Sequence, residues 1–510
     1  MCRSPVMQAL LRPNSLGRLS PRAGAYLVAL FAVLTYAMEY WQPAGFFWDE
    51  NYHVAAAQKY LNGVYFMEPH PPLGKLLIAA GEEILQANEQ QDDFTGTTYA
   101  RDPSPGFSFA GYRLFPVVFA IFSALLLYEL ARRLIGRSDW AILVTSFYVF
   151  DTALIVHSRG AMLEGPQICF VLAALLSGTA LCQAGSRKAQ IRWAVLLGSS
   201  FAAAMATKVT SLFIVCCAPV VLWCLWRKGA ALLGPVVTAL SAAFLVYAAI
   251  WQAHFLLGTT INPSLDDQGF YSTNRDIRQL ITDGASSKIE NLPTMFLAAQ
   301  DFFKRYQGGV PLLNLCKNDE NGSPPYFWPF GARSINYRWE LVDGGMGTRF
   351  LYLQANPIVW LCSLVGVLGA AAVLFGCIFF GLWNKLQRRG AITSIFLLYV
   401  CYMLPMLFIT RVMYLYHYFI PLILGMLLFG LVLSEVSRIG PFQFTPSRKT
   451  TLLKLVSLAV ICSFIYFSPL AYYQPLSDLE IESRAWIKLW DLRCANCSRT
   501  TLLAFPLANQ

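Results

Sequence analysis

Apolar stretches long enough to cross a hydrocarbon layer of ~30 Å recur along the chain, parted mostly by short polar turns and twice by long mixed segments. They fall near residues 24–40, 112–133, 139–156, 165–183, 191–207, 209–226, 230–256, 356–383, 391–410, 414–435 and 452–472. The pattern predicts an all-α polytopic membrane protein with about eleven transmembrane helices. Within the first long segment, Glu50 to Asn62 reads as a short helix, with Val54, Ala57 and Leu61 at helical spacing and a stop at Asn62-Gly63. The run Leu73 to Leu85 reads as a second, and Pro71-Pro72 imposes an extended turn between them. No internal repeat, coiled coil or low-complexity block interrupts the pattern.

Composition agrees with the spans. The chain of 510 residues is 56% hydrophobic with a mean hydropathy of +0.48, too apolar for an ordinary soluble domain. Lys and Arg in short loops set orientation. Arg3, Arg12, Arg18 and Arg22 precede the first span; Arg132, Arg133 and Arg137, then Arg187, Lys188 and Arg192, then Arg227 and Lys228 follow later ones. Lys385, Arg388 and Arg389, and finally Arg438, Arg448, Lys449 and Lys454, complete the series. With eleven spans all these clusters share one face, so the N-terminus is expected in the cytoplasm and the C-terminus outside. The net charge of +10 is then a topological signal, and no nucleic-acid partner is implied. The expected organisation is a cytoplasmic N-terminus (1–23), a transmembrane core with a first outer loop (24–256, loop 41–111), a long outer loop (257–355), C-terminal helices (356–472) and an outer tail (473–510).

Both long segments thus lie outside. The second carries aromatic patches, "PPYFWPFGARSINYRW" and "RFLYLQANPIVW", that argue against disorder and suit the membrane interface. Most of the 13 cysteines lie in spans, where a small apolar residue is expected. Cys494 and Cys497 form a lone CxxC without a second pair or a nearby His, a weak pattern for zinc and one that leaves a short disulfide open.

Ionisable residues at span ends mark functional sites by default. Asp49 and Glu50 follow the first span, Arg113 opens the second, and Asp151, His157, Arg159 and Glu164 bracket an outer turn. Lys208 sits at a tight outer turn, His254 ends a span, and Arg411 and His417 flank another; with His53 and His70, all five histidines fall on the outer half. Each residue alone has a structural reading as a snorkelling or ion-paired group. Together they suggest an outward-facing cavity with sites for anions and for cations. Arg and Lys at membrane level suit a lipid-linked phosphate, and a neighbouring carboxylate can take a proton from an attacking hydroxyl. A transporter with a midplane anion site stays open, although internal repeats and broken helices would be usual for one.

"FFWDENYH" followed by "HPPLGKLLIAAGE" resembles the first outer loop of the dolichyl- or polyprenyl-phosphate-mannose protein O-mannosyltransferases, a family of the GT-C membrane fold. "GYRLFPVVFAIFSALLLYELARRL", "DTALIVHSRGAMLEGP", "ATKVTSLF", "SPPYFWPFGARSINYRWE", "ANPIVW" and "RVMYLYHYFIPL" resemble later family segments in the right order. The resemblance implies a hexosyltransferase that moves mannose from a polyprenyl- or dolichyl-phosphate carrier to Ser or Thr hydroxyls of secreted or envelope proteins, with inversion. It implies Asp49 as catalytic base, Glu50 as a positioning group and Arg113 as a contact to the carrier phosphate. His70, before Pro-Pro where related lipid-to-lipid transferases carry lysine, is a phosphate or sugar contact; Arg159, Glu164, Lys208, Arg411 and His417 line the donor site. Glu164 stands where the family usually has Asp. The second outer loop leaves no room for an inserted β-trefoil, so a bacterial-type member of the plasma membrane is expected, or an ER protein if eukaryotic, where Asn321 and Asn496 offer sequons. The nearest alternative changes the acceptor to a lipid or envelope glycan, as in aminoarabinose transfer to lipid A; His-Pro-Pro in place of Lys-Pro-Pro favours protein. No cofactor is predicted beyond the lipid-linked donor, itself a substrate. Asp49 and Glu50 are too few for a magnesium or calcium cage, which leaves metal dependence open.

Overall fold

The computed structural model describes residues 20–227, 232–266, 275–317, 320–342, 347–381, 383 and 386–492. Cys494, Cys497 and Asn496, together with Arg3, Arg12, Arg18, Lys228 and Lys385, lie outside the described residues.

Each of the eleven apolar windows holds a helix among the described residues. Among the described residues eight helices are long and apolar enough to cross a membrane, or nine if Ser138–Val149 and Thr152–Ser158, bent by 60°, form one span. The other two windows are Pro21–Ala37, which is short, and Arg187–Thr207, whose Gly198, Ser199, Ser200 and alanines dilute its apolarity. Local sequence starts and stops these helices as expected. Ser20, Asn356 and Thr445 cap N-termini with a proline at the first or second position. Gly136, at φ +76°, closes Ala110–Ile135 by donating its N–H to the Arg132 carbonyl at 2.8 Å.

Small residues let the helices approach closely. A Cβ on Gly366 would lie 2.5 Å from the Gly425 carbonyl oxygen and 2.4 Å from the Phe429 nitrogen. Helices Pro357–Phe379 and Phe419–Glu435 therefore pack backbone to backbone. The main core runs through the first, second, third and tenth spans, with Trp140, Tyr148, Leu427 and Leu428 wholly buried.

The two long segments between spans fold onto one end of this bundle. The two short helices expected after the first span form as Glu50–Leu61 and Leu73–Leu85. The second segment adds helix Leu292–Gly309 and also strands, which the all-α expectation lacked. Strand β1 (Ile335–Leu341) pairs antiparallel with β2 (Thr348–Leu353). A hairpin of β3 (Arg438–Ile439) and β4 (Phe442–Gln443) precedes the last span, and β5 (Pro475–Leu476), just after it, joins the open edge of β2. Alternation in "INYRWEL" supplies the strand signal, with Ile335 and Tyr337 buried and Trp339 exposed. The two outer segments join where Tyr65 donates its N–H to the Thr260 carbonyl at 2.8 Å.

Candidate functional site

Asp49 holds the N-cap position of helix Glu50–Leu61, yet its carboxylate does not cap that helix. The preceding Trp48 has φ +51°, a left-handed conformation that costs a non-glycine residue ~1–3 kcal/mol. Aromatic packing holds it there: the indole stacks on Tyr337 at 5.1 Å and meets Tyr414 edge-on at 5.0 Å. The turn directs Asp49 away from its own helix, and its Oδ2 accepts a hydrogen bond from the Tyr416 hydroxyl at 3.2 Å. Burial first, and the Glu164 charge second, raise the Asp49 carboxyl above the ordinary aspartate value, while Lys208, His157 and the Tyr416 hydrogen bond oppose the rise.

Glu50, one residue on, is sealed in. Its Oε1 accepts from Arg113 Nε and from the Ala161 N–H, each at 2.7 Å, and its Oε2 accepts from Arg113 Nη2 at 2.8 Å. Arg113 spends its remaining donors on the carbonyls of Trp41, Pro43 and Gly45 at 2.8–3.1 Å. Both side chains are 0% exposed. The clamp ties the segment before Asp49 to the second span and to the turn after Arg159. Gly160 makes room for it, because a Cβ there would meet the Phe47 ring at 2.8 Å and Glu50 Oε1 at 3.2 Å.

A second constellation faces Asp49 across Tyr416. Glu164 pairs with Lys208 through Oε1 and with His157 Nε2 through Oε2, the latter at 2.6 Å; His157 Nδ1 meets the Tyr337 hydroxyl at 2.6 Å. The Lys208 ammonium lies 5.3 Å from the Tyr416 ring centre, and that ring is sandwiched by His157 and His417, each at 4.7 Å. Lys208, Glu164, Gln167, Thr210, Tyr416 and His417 line a small pocket there. Residues from five separate regions of the chain thus meet at one end of the bundle. The end of the second span that bears Arg133 is remote: a helix of 26 residues is ~39 Å long at 1.5 Å per residue.

A carboxylate of raised proton affinity beside a buried cation, at one end of a polytopic bundle, narrows the comparison with known proteins. The family profile described as dolichyl-phosphate-mannose-protein mannosyltransferase matches residues 26–261. The one described as the C-terminal four-TMM region of protein-O-mannosyltransferase matches residues 312–490. The chain belongs to the protein O-mannosyltransferase family. A polyprenol-phosphate-mannose protein mannosyltransferase of Corynebacterium glutamicum is 22% identical over 474 residues, covering 84% of this chain and 82% of that protein. Protein O-mannosyl-transferase 2 of Danio rerio is 25% identical over 196 residues, 34% of this chain but only 25% of its own length. In fold, the chain superposes on a subunit of the Saccharomyces cerevisiae Pmt1–Pmt2 complex bound to the sugar donor. The TM-score is 0.76 at 15% identity, covering 95% of this chain and 94% of that one. The GT-C architecture and the multi-pass membrane character follow.

In this protein O-mannosyltransferase family member, Asp49, Glu164, Lys208 and His417 come together, and two arginines expected beside them do not. Arg113 has every guanidinium N–H committed to Glu50 and to loop carbonyls, so binding a phosphate would require breaking a wholly buried ion pair. Arg159 is likewise buried, donating to the carbonyls of Met38, Glu39 and Ala471 and lying 4.7 Å over the Tyr472 ring. Both are structural ties. His70 is half-buried, and burial, followed by the Lys208 and Lys75 cations, pushes its ring well below the ordinary imidazole value. Lys75, one of those cations, pairs with Glu68. Arg411 is half-buried, is held by a backbone bridge to Leu312, and has no ion pair among the described residues. Also among the described residues, no three His, Cys, Asp or Glu side chains are grouped to hold a metal ion.

Sequence reasoning passed over Trp48, Tyr337 and Tyr416, and left His157 without a site role. In "RVMYLYHYFIPL" Arg411 and His417 stand out as ionisable, but nothing distinguishes one tyrosine in it among the 24 of the chain.

Proposed function

We propose that this chain transfers mannose from a polyprenyl-phosphate carrier to Ser or Thr hydroxyls of proteins, with inversion, at a site outside the cytoplasm of a bacterial plasma membrane. The observation that carries the proposal is the environment of Asp49: a half-buried carboxylate, free of its helix, with raised proton affinity and a cation beyond its tyrosine neighbour. In the reaction the acceptor Oγ forms a bond to the anomeric carbon while the bond from that carbon to the phosphate oxygen breaks. The hydroxyl proton passes to Asp49, and the electron pair leaves with the polyprenyl phosphate. A single displacement needs one base and no nucleophilic carboxylate. A raised carboxyl affinity makes the ionised carboxylate a stronger base.

Our assignment for the leaving phosphate is Lys208, with Arg411 and the neutral donors of His417 and His70 at its margin. The lysine supplies a point charge where negative charge develops. Glu164 holds Lys208 in place, and His157 and Tyr337 hold Glu164. Glu50 and Arg113 fix the loop that presents Asp49. The test is transfer from radiolabelled polyprenyl-phosphate-mannose to a Ser/Thr-rich peptide by detergent-solubilised wild type and Asp49→Asn. Transfer that collapses in the variant supports donor, acceptor class and base together. Equal transfer by both would remove Asp49 from the mechanism, and transfer only to a lipid acceptor would overturn the protein-directed reading.

A further inference from the structure

The turn that carries Lys208 is tied to helix Glu164–Gln183 by two side chains one helical step apart. Glu164 pairs with Lys208. Three residues on, Gln167 donates from Nε2 to Thr210 Oγ1 at 2.9 Å and to Ser211 Oγ at 3.0 Å. Residues three apart share one helix face, so the same face grips the lysine and, two residues later, the threonine. Gln167 is buried and Thr210 half-buried. Lys208, Glu164, Gln167 and Thr210 all line the small cavity beneath Tyr416.

Most protons on the cavity wall are already committed. Tyr416 donates to Asp49 at 3.2 Å, Tyr402 to the His417 carbonyl at 2.9 Å, and Gln167 to the two hydroxyls. An ammonium carries three N–H donors, and among the described residues Lys208 bonds only to Glu164. The Thr210 oxygen accepts from Gln167, which leaves its own proton to turn either to the neighbouring Tyr402 hydroxyl or into the cavity. An anionic oxygen is a stronger acceptor than a neutral phenol. The cavity measures about 10 Å³, close to the ~10–15 Å³ that one water requires. It admits a single oxygen atom and no sugar ring, and the donors left to meet that oxygen are a cation and a hydroxyl.

Resting on the proposed function, we infer that Thr210 is a further donor-site residue, whose hydroxyl joins the Lys208 ammonium in donating to a non-bridging oxygen of the leaving polyprenyl phosphate. Gln167 is a positioning residue that holds the Thr210 oxygen and so turns its proton toward the cavity. When the bond from the anomeric carbon to the phosphate oxygen breaks, the electron pair stays with the phosphate. The Thr210 hydrogen bond strengthens with that charge, and its proton is not transferred.

The test uses the full chain in detergent, with polyprenyl phosphate and polyprenol as competitors of radiolabelled polyprenyl-phosphate-mannose. Thr210→Val keeps the size of the side chain and loses the hydroxyl. It should raise the donor KM and the inhibition constant of polyprenyl phosphate by roughly ten-fold, the scale of a hydrogen bond to a charged group. The constant for polyprenol and the peptide KM should not move, and Thr210→Ser, which keeps the hydroxyl, should bind as wild type does. Gln167→Met should show a smaller loss of the same kind that disappears in the Thr210→Val background, since Gln167 acts through Thr210. If Thr210→Val does not fold, Gln167→Met alone still reports through the split between the two competitors. Unchanged inhibition by polyprenyl phosphate in the variants, or an equal loss for polyprenol, would overturn the role of Thr210 and leave the transferase reading intact. Mannose delivered to a lipid, with the same selective loss in Thr210→Val, would uphold the phosphate contact and overturn the protein-directed reading. Wild type that neither transfers from the donor nor binds polyprenyl phosphate would overturn both.

Discussion

The Tyr416 hydroxyl donates to Asp49 Oδ2 at 3.2 Å across 367 residues of sequence, and the ring that carries it lies between two histidines and beneath a lysine. One phenol therefore couples the carboxylate of the first outer loop to the cationic pocket at the start of the tenth span. A hydrogen bond to the charged form favours that form, so the Tyr416 bond opposes the rise that burial imposes on the Asp49 carboxyl. In Tyr416→Phe the stacking is retained and the bond is lost. The acid limb of the transfer rate should move to higher pH, with a fall of roughly ten-fold at the pH where wild type is half-active, the scale of a bond to a charged group. An unchanged profile would show that the phenol does not govern the base.

Asp49→Asn should lower transfer by about 10²–10⁴-fold, the range for loss of a general base, without lowering Tm. The sign follows from the raised carboxyl. Folded affinity for the proton exceeds unfolded affinity, so the group stabilises the fold below its unfolded pKa and loses that contribution as pH rises through the folded one. Above the folded pKa the ionised carboxylate is therefore a cost that Asn removes. A marked drop in Tm together with lost activity would recast Asp49 as structural.

Lys208 and Glu164 should move the same acid limb in opposite directions. Glu164 raises the Asp49 carboxyl and Lys208 lowers it, so Glu164→Gln shifts the limb toward acid and Lys208→Met shifts it toward base. Lys208→Met should also raise the donor KM by roughly ten-fold or more, as expected when a charge is removed from a phosphate contact. If KM for the donor is unmoved while the limb shifts, the lysine acts on the base and not on the phosphate.

The Glu50–Arg113 clamp predicts a different signature. Removing one partner leaves the other charge buried, a loss of about 3–5 kcal/mol, so Glu50→Gln and Arg113→Gln should each lower Tm sharply and reduce folded protein. The double variant should be less damaged than the two losses added, which a thermal double-mutant cycle would measure. Arg113→Lys restores one charge but not the fork to Glu50 and three carbonyls, and should also be unstable. An arginine variant of wild-type stability with a weakened donor KM would return Arg113 to the phosphate.

His53 predicts an acid sensitivity of the fold. Burial, then the Lys75 charge, depresses its imidazole to about 3, while its Nδ1 donates to the Ala161 carbonyl at 2.7 Å. A neutral ring in the fold and an ordinary one when unfolded mean that stability is full above the unfolded pKa and declines as pH falls from ~6.5 toward 3. His53→Asn keeps a donor toward Ala161 and should flatten the dependence of Tm on pH in that interval. Parallel curves for the two proteins would exclude His53 as a source of it.

The sequence by itself determined the helices and the two short helices that follow the first span. Span length, capping residues and proline–proline punctuation act locally, and apolarity over about twenty residues is enough to specify a membrane helix. The family likeness of "FFWDENYH" pointed to Asp49 for the same reason: the motif is contiguous. Tertiary structure alone decided what the other charged groups do. Arg113, Arg159, Lys208 and Arg411 look alike as basic residues at outer span ends, but two are enclosed by carbonyls, one is paired over a tyrosine and one has no ion pair among the described residues. Their partners lie tens to hundreds of residues away, and desolvation, which fixes whether a guanidinium serves the fold or a ligand, depends on what packs around it in space. Strand β5 was hidden likewise, because a two-residue edge strand exists only once a distant partner supplies its hydrogen bonds.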